Sequence, residues 1–238
     1  MDIREMHYDI NFKLNKVDSQ QYKNLKVPEK DWALNEAKDI FIKSIAEPRI
    51  PNHLGFETSQ RSIDDIRTLV VNNRELTPTI NDTEYLITLP EDYMFYVSAE
   101  AIISRVGCKD KKVRLTPVQH DDLVEEDSFY NSSFEWGDVN MRFFDGGIKV
   151  FTDGTFSVKT VLLNYIREHA YMHNAQDFLP AGQYKLPSGQ LLTGKQDCEL
   201  PKHTHREIVD IAVLILSNNL DMPNYQLKQA KLNLNQLN

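Results

Sequence analysis

Met141-Arg142-Phe143-Phe144-Asp145-Gly146-Gly147-Ile148-Lys149-Val150-Phe151 reads as two short apolar runs joined by Asp-Gly-Gly. That is the composition of a tight β-hairpin, in which glycine supplies the positive φ that such turns require. The stretch makes the middle of the chain β-rich, and its neighbours extend the reading. Upstream, residues 84–89 place Tyr85, Ile87 and Thr88 in a run closed by Pro90, which suits a strand. Residues 93–104 are again aromatic and apolar, although 98–101 is less clearly β, and 113–118 reads as the next strand after a charged turn at 108–112. Residues 119–127 suggest a short acidic helix. Downstream, 155–166 continues the apolar pattern with Phe156, Val158, Val161 and Leu163, and the polar stretch 174–196, with its Gly and Pro, reads as a long exposed arm or hairpin.

Helical periodicity flanks this middle on both sides. Ile3, Met6, Ile10, Leu14 and Val17 recur at spacings of three and four, with Asp2 and Glu5 placed as a capping-box variant. Pro28 opens a second helix carrying Leu34, Ala37, Phe41 and Ile45, and Pro48 and Pro51 end it. Ser62 is positioned to cap a third, with Asp64 and Asp65 in its first turn and Ile63, Ile66 and Val70 inward. From 205 to 220, Ile208, Val209, Ile211, Ala212, Val213, Leu214, Ile215 and Leu216 cover nearly every direction, which predicts a central helix buried on most sides, broken at Pro223. The tail then shows Leu227, Ala230, Leu234 and Leu237 at helical spacing, with Lys228 and Lys231 off that stripe. Such a seam needs a partner, either the protein's own body or a neighbouring subunit.

The 238 residues carry 27 Lys+Arg against 35 Asp+Glu, a net charge of −8, which argues against a dedicated nucleic-acid binder. The two cysteines, Cys108 and Cys198, are too few for a disulfide framework, and the first residues show no secretory pattern. The most apolar run, 211–216, is far shorter than the roughly 20 residues a membrane helix needs. These features predict a protein made in a reducing cytoplasm.

Motifs whose spacing encodes a mechanism (P-loop, G-x-G-x-x-G, G-x-S-x-G, H-E-x-x-H) are absent. His169 and His173 are four apart, and Cys198, His203 and His205 cluster before the last helix, but neither set completes the ligands of a zinc site. Asp121, Asp122, Glu125, Glu126 and Asp127 lack the alternation and turn glycine of a Ca²⁺ loop and read as a solvated acidic face. Lys109, Lys111, Lys112 and Arg114 form the one basic cluster, either a charged β-turn or a contact for a phosphate backbone.

Several short segments in order carry a resemblance: Glu5-Met6-His7-Tyr8, Leu14-Asn15-Lys16-Val17-Asp18-Ser19, Leu34-Asn35-Glu36-Ala37, Leu89-Pro90-Glu91-Asp92-Tyr93, Leu162-Leu163-Asn164-Tyr165-Ile166, and Glu199-Leu200-Pro201 followed by Glu207-Ile208-Val209-Asp210-Ile211-Ala212-Val213. From Met1 to about Leu237 the chain resembles the head-to-tail connector proteins of tailed bacteriophages, in particular the ring proteins of crAss-like phages that infect gut Bacteroidales. The resemblance implies an α+β fold: a helical bundle of N-terminal helices plus a long C-terminal helix, an inserted β-rich domain of sandwich or barrel type, and a C-terminal amphipathic tail. The corresponding divisions are 1–80 for the helical part, 81–200 for the insertion with its arm near 174–196, 201–222 for the closing helix and 223–238 for the tail.

It also implies a non-enzymatic virion protein at the head–tail junction, assembled in the host cytoplasm as a homo-oligomeric, dodecameric ring. Its partners would be the portal protein, other tail or ring proteins, and genomic double-stranded DNA passing through the lumen without sequence-specific contact. No catalytic residue, metal, cofactor or membrane is implied. Tyr225, Leu227, Ala230, Leu234 and Leu237 would contact the portal or a neighbouring subunit. Lys109, Lys111, Lys112 and Arg114 would line the DNA channel or remain a basic turn. The competing readings are a lower tail-ring or tail-hub component, a metal-dependent hydrolase using His169, His173 or the Cys198 and His203 cluster, and a carbohydrate-binding module built on Trp32, Trp136 and the tyrosines.

Overall fold

The structure, a computed structural model, describes residues 1–15, 25–46, 64–81, 84–118 and 131–219. The chain divides into two compact units: Met1–Thr68 together with His169–Asn238, and the continuous segment Leu69–Glu168.

The continuous unit is one eight-stranded sheet. Its strands are β1 (Val70–Leu76), β2 (Thr79–Asn81), β3 (Glu84–Thr88), β4 (Tyr93–Ser104), β5 (Lys111–Pro117), β6 (Val139–Phe144), β7 (Gly147–Phe151) and β8 (Ser157–Arg167). Their order across the sheet is β1-β8-β4-β5-β6-β7-β3-β2. Every pairing is antiparallel except β5 with β6, whose parallel register sets Leu115 opposite Val139. Alternation builds the core. Ala99, Ala101 and Ile103 of β4, Val113 and Leu115 of β5, Val139 and Met141 of β6, Ile148 and Val150 of β7, and Val161, Leu163 and Tyr165 of β8 are buried in one cluster. The sheet is curled into a half-barrel. Breaks of register between β4 and β8 after Tyr93, Tyr96 and Ile102, and in β1 between Val71 and Arg74, account for the curl, because an extra residue on one strand bends it and increases the twist.

The hairpin that opened the sequence reading forms, with Met141 opposite Val150 and Phe144 opposite Gly147. Its glycines act differently from expectation. Neither Asp145 nor Gly146 has positive φ; Gly147, at φ +150°, does. A Cβ there would lie 2.0 Å from the Ile87 carbonyl oxygen, so glycine is required by the close approach of β3.

The other unit contains α1 (Ile3–Asn15), α2 (Val27–Ala46), α3 (His205–Asn219) and a two-stranded ribbon of β9 (Gln183–Lys185) and β10 (Leu191–Thr193). Ile3, Met6 and Ile10 of α1, Leu34, Ala37 and Ile42 of α2, and Ile208, Val209 and Ala212 of α3 are buried.

The predicted helical bundle with a long C-terminal helix and an inserted sandwich or barrel is overturned. The protein is mostly β, dominated by the half-barrel, with only short helices. Three local readings explain the difference. Val70, expected on the inner face of a third helix, begins β1, and among the described residues the helix before it runs only from Asp64 to Ile66 and then tightens to a 3-10 turn, Arg67–Leu69. Residues 98–101, doubtful as β, are the centre of β4, where Ser98 and Glu100 alternate with buried Ala99 and Ala101. The last helix, over its described length of 15 residues, spans only about 22 Å. The expected acidic helix at 119–127 and the tail lie outside the described residues.

Candidate assembly surface

In the first unit, the stretch expected to protrude as an arm is folded back. Ala175, Tyr184 and Leu192 make a small core against which Val27, Tyr171, Phe178 and Leu186 pack. Leu179 and Leu191 stay exposed. What fastens the arm is a buried polar network on α2. Asp31, fully buried, accepts the Tyr184 hydroxyl (2.7 Å) and the Asn174 N–H (3.1 Å), and meets His7 Nε2 of α1 at 2.8 Å. Burial, reinforced by the Asp31 carboxylate, pushes the Tyr184 hydroxyl far above its ordinary value, so it remains a donor. Four residues on, Asn35 donates to the Met172 carbonyl (2.8 Å) and accepts its N–H (2.9 Å). One turn further, Lys38 donates to the Ala170 carbonyl (2.7 Å). The sequence reading missed this network. Its signal was Asp31, Asn35 and Lys38 at helical spacing beside Leu34 and Ala37, a polar stripe inside a face that should be apolar.

The histidines singled out as ligands are held apart by separate partners. His169 Nε2 lies 2.6 Å from Asp39, whose carboxyl it holds below the usual range, and His203 Nε2 lies 2.7 Å from Asp65. His205 directs one ring nitrogen at the Met1 carbonyl (2.9 Å) and the other at the Leu200 carbonyl (2.8 Å). His173 is buried, and its backbone bridges to Gln196. Burial raises the Cys198 thiol above its ordinary value. Among the described residues, no three of His, Cys, Asp or Glu come together as a metal site.

The basic cluster falls on the second unit, at the turn joining β4 to β5 and on the outward face of β5. Few of its charges are free. Lys112 pairs with Glu100 at 2.6 Å, and Asp110 beside it pairs with Lys159 at 2.7 Å, which holds the Asp110 carboxyl low. Lys111 donates to the Phe134 carbonyl (3.1 Å), with its ammonium 4.5 Å from the centre of the Phe134 ring. Arg105 lies over the same ring at 5.9 Å and reaches Glu135 at 3.6 Å. Lys109 and Arg114 are exposed.

Phe134 is therefore a clamp between two stretches far apart in sequence. It is buried, tilted against Phe156 at 6.2 Å, and capped by cations from the β4–β5 turn. The segment around it is a tight turn: Ser133 N–H donates to Asp138 (2.7 Å), Gly137 N–H donates to Ser133 (3.1 Å), and Gly137 takes φ +73°. Trp136 stands on its crest, 84% exposed. Val106, in the neighbouring turn where Gly107 takes φ +81°, is fully exposed. Ordered turns thus display two apolar side chains, Val106 beside the basic residues of the β4–β5 turn and Trp136 between Glu135 and Asp138. The tail residues Tyr225, Leu227, Ala230, Leu234 and Leu237 lie outside the described residues.

On α2, Trp32 and Ile40 are also exposed, at 56% and 45%. With exposed Glu36 between them at spacings of four, they make one outward stripe, flanked by Glu29 and Asp39. Among the described residues, exposed apolar side chains thus occur in both units, Tyr8 and Phe12 of α1, Trp32 and Ile40 of α2, Leu179 and Leu191 of the arm in one, and Ile80, Val97, Val106 and Trp136 in the other.

No curated protein matches the chain significantly. A family model described as phage tail ring protein 3/4 matches residues 1–224.

Proposed function

The chain belongs to the phage tail ring protein 3/4 family of crAss-like phages, a virion structural family, and from that premise we propose that it forms one closed ring of the neck and tail through which the genome passes. The family match over 1–224 carries this reading. In it, the ring is dodecameric, and its lumen is lined by part of the acid excess behind the net charge of −8, so that phosphates are repelled and DNA slides without adhering. A closed ring requires heterologous contacts, in which one flank of each subunit meets a different flank of the next. Ordered apolar groups exposed to water are the feature such flanks need.

The tail residues Tyr225, Leu227, Ala230, Leu234 and Leu237 are assigned to a contact with the portal or with the next protein of the stack. The family's description as a tail ring favours a second arrangement as well, a lower ring that touches other rings and not the portal. One experiment separates these. The purified chain, alone and mixed with portal or with the other ring proteins of the same phage, is imaged by negative stain and weighed by mass photometry. Rings, formed alone or on a partner, are expected. Failure to assemble under any of these conditions overturns the reading, and which partner is captured decides the level in the stack. Removing 225–238 is expected to abolish docking while circular dichroism stays unchanged. A truncated chain that unfolds would instead place the tail on its own subunit.

A further inference from the structure

We propose that the Val106–Trp136 tip of the sheet unit docks on the Trp32–Glu36–Ile40 stripe of α2 in a second copy of this chain, as the side contact between ring neighbours. The proposal deepens the ring reading and rests on it.

The tip is built for contact. Its base is fixed by the Phe134 clamp and by turns at Gly107 and Gly137, so Trp136 and Val106 are presented on ordered backbone. Groups already held in place lose little freedom on binding, and tryptophan is the residue type most enriched among contacts that dominate interface energy. The surrounding charge selects the partner. Of the five cations in residues 105–114, Lys112 faces Glu100, Arg105 reaches Glu135 and Lys111 lies on the Phe134 ring, so exposed Lys109 and Arg114 set the sign of the charge at the tip. Two such tips facing each other repel, which disfavours a two-fold, tip-to-tip pairing. An apolar and acidic surface complements it, and α2 supplies one, with Trp32 and Ile40 exposed along a stripe that bears Glu29 and Glu36, while Asp39 beside it is paired with His169 and Lys43 lies at its far end. From Glu29 to Ile40 this stripe is about 16 Å long. Tip and stripe are different surfaces of the chain, so their pairing can repeat head to tail from copy to copy, as a ring requires.

DNA is the less suited occupant of the tip. Lys112 and Lys159 already face carboxylates, Lys111 and Arg105 are spent on the Phe134 ring, and the most exposed groups of the tip are the apolar Val106 and Trp136, the latter beside Glu135. A phosphate-binding surface would offer unpaired cations instead.

The test measures assembly by mass photometry at the concentration where the wild type is half assembled, with its assembly partner present if one is required. Trp136→Ala and Trp32→Ala replace exposed side chains and are expected to leave the circular dichroism unchanged while raising the assembly midpoint about thirty-fold, the size of a hot-spot loss. Glu36→Lys and Lys109→Glu are each expected to raise it several-fold, and the double variant to recover most of the loss. Rings that form normally in the tryptophan variants overturn the proposal and leave the ring reading standing. Loss in Trp136→Ala without recovery in the charge pair means that the tip meets another surface, which overturns the assignment to α2. Intact rings that have lost affinity for double-stranded DNA on Trp136→Ala overturn it in favour of a channel contact. A wild type that assembles under no condition fails the ring reading itself.

Discussion

The two units solve the same problem, satisfying a buried backbone, by different means. The sheet unit is one continuous stretch, Leu69–Glu168, and its ladder pairs most of its own amides and carbonyls, with side chains such as Asn164 and Ser132 accepting the Asn73 and Asn140 N–H where the ladder is interrupted. The other unit is closed by the two ends of the chain, and its arm has strands of only three residues. Side chains stand in for the missing ladder. Asn35 serves both backbone groups of Met172, Lys38 serves Ala170 O, Glu199 serves Ala170 N, Asp31 serves Asn174 N, and Asp197 serves Ile3 N. A buried backbone group must find a partner somewhere. Where register cannot supply it, directional polar contacts do, and they also specify which distant segments meet.

The sharpest way to break this contrast is Asp31→Ala. It strands His7, Tyr184 and the Asn174 N–H in a dry interior, which costs about 3–5 kcal/mol. Hydrogen exchange is expected to accelerate strongly in α1 and across the β9–β10 ribbon while β4 and β8 keep their protection. Equal loss in both units would mean that they do not differ as argued. The matching change in the sheet is Met141→Ala, a fully buried side chain with no polar role, expected to cost about 3 kcal/mol. Here acceleration should centre on β5, β6 and β7 and spare the arm.

Much of the local structure was legible because the relevant signal was local. Strands at 84–89 and 113–118, the hairpin at 141–151 and the helix at 205–220 match β3, β5, the β6–β7 pair and α3 closely. The architecture was not legible, for physical reasons. The face of β4 that enters the core uses Ala99 and Ala101, small residues that favour helix when read alone, but once the sheet exists Ala101 sits between Val113 and Val161 and Ala99 opposite Leu163. The parallel join of β5 to β6 spans more than twenty intervening residues and leaves no periodic trace. The arm read as exposed because its apolar residues are sparse; its anchor, Asp31, lies far away on α2. The same holds for the assembly surface. The basic turn was visible as composition, but its partial neutralisation by Glu100 and Glu135, and its place beside Trp136, depend on cross-strand register and on a turn far along the chain.

The smallest effect sharpens the comparison most, because it separates the units by pH alone. Lys38 is fully buried, and burial pushes its ammonium down to about 8 from the ordinary 10.5, against the pull of the neighbouring Cys198, Glu199 and Asp39. Holding the charged form inside therefore costs about 3 kcal/mol at neutral pH. Between pH 8 and 10.5 the unfolded chain binds a proton that the folded chain has released, so the helical unit gains stability as pH rises, by about 1 kcal/mol per pH unit. The Cys198 thiol, raised by burial, acts in the opposite sense above its ordinary value of 9, and the Lys30 ammonium, lowered by burial, acts in the same sense as Lys38, so pH 8 to 9 is the window in which the Lys38→Met comparison assigns the rise. Urea unfolding followed by Trp32 fluorescence in a Trp136→Phe background should show the midpoint rising across that window. Lys38→Met should flatten the rise yet change stability at pH 7 by only about 1 kcal/mol, since relief of the buried charge is offset by stranding the Ala170 carbonyl. Trp136 fluorescence in a Trp32→Phe background should stay flat over the same range. A rise there would show that the charge buried at Lys38 is felt by the sheet, and that the two modes of construction are not independent.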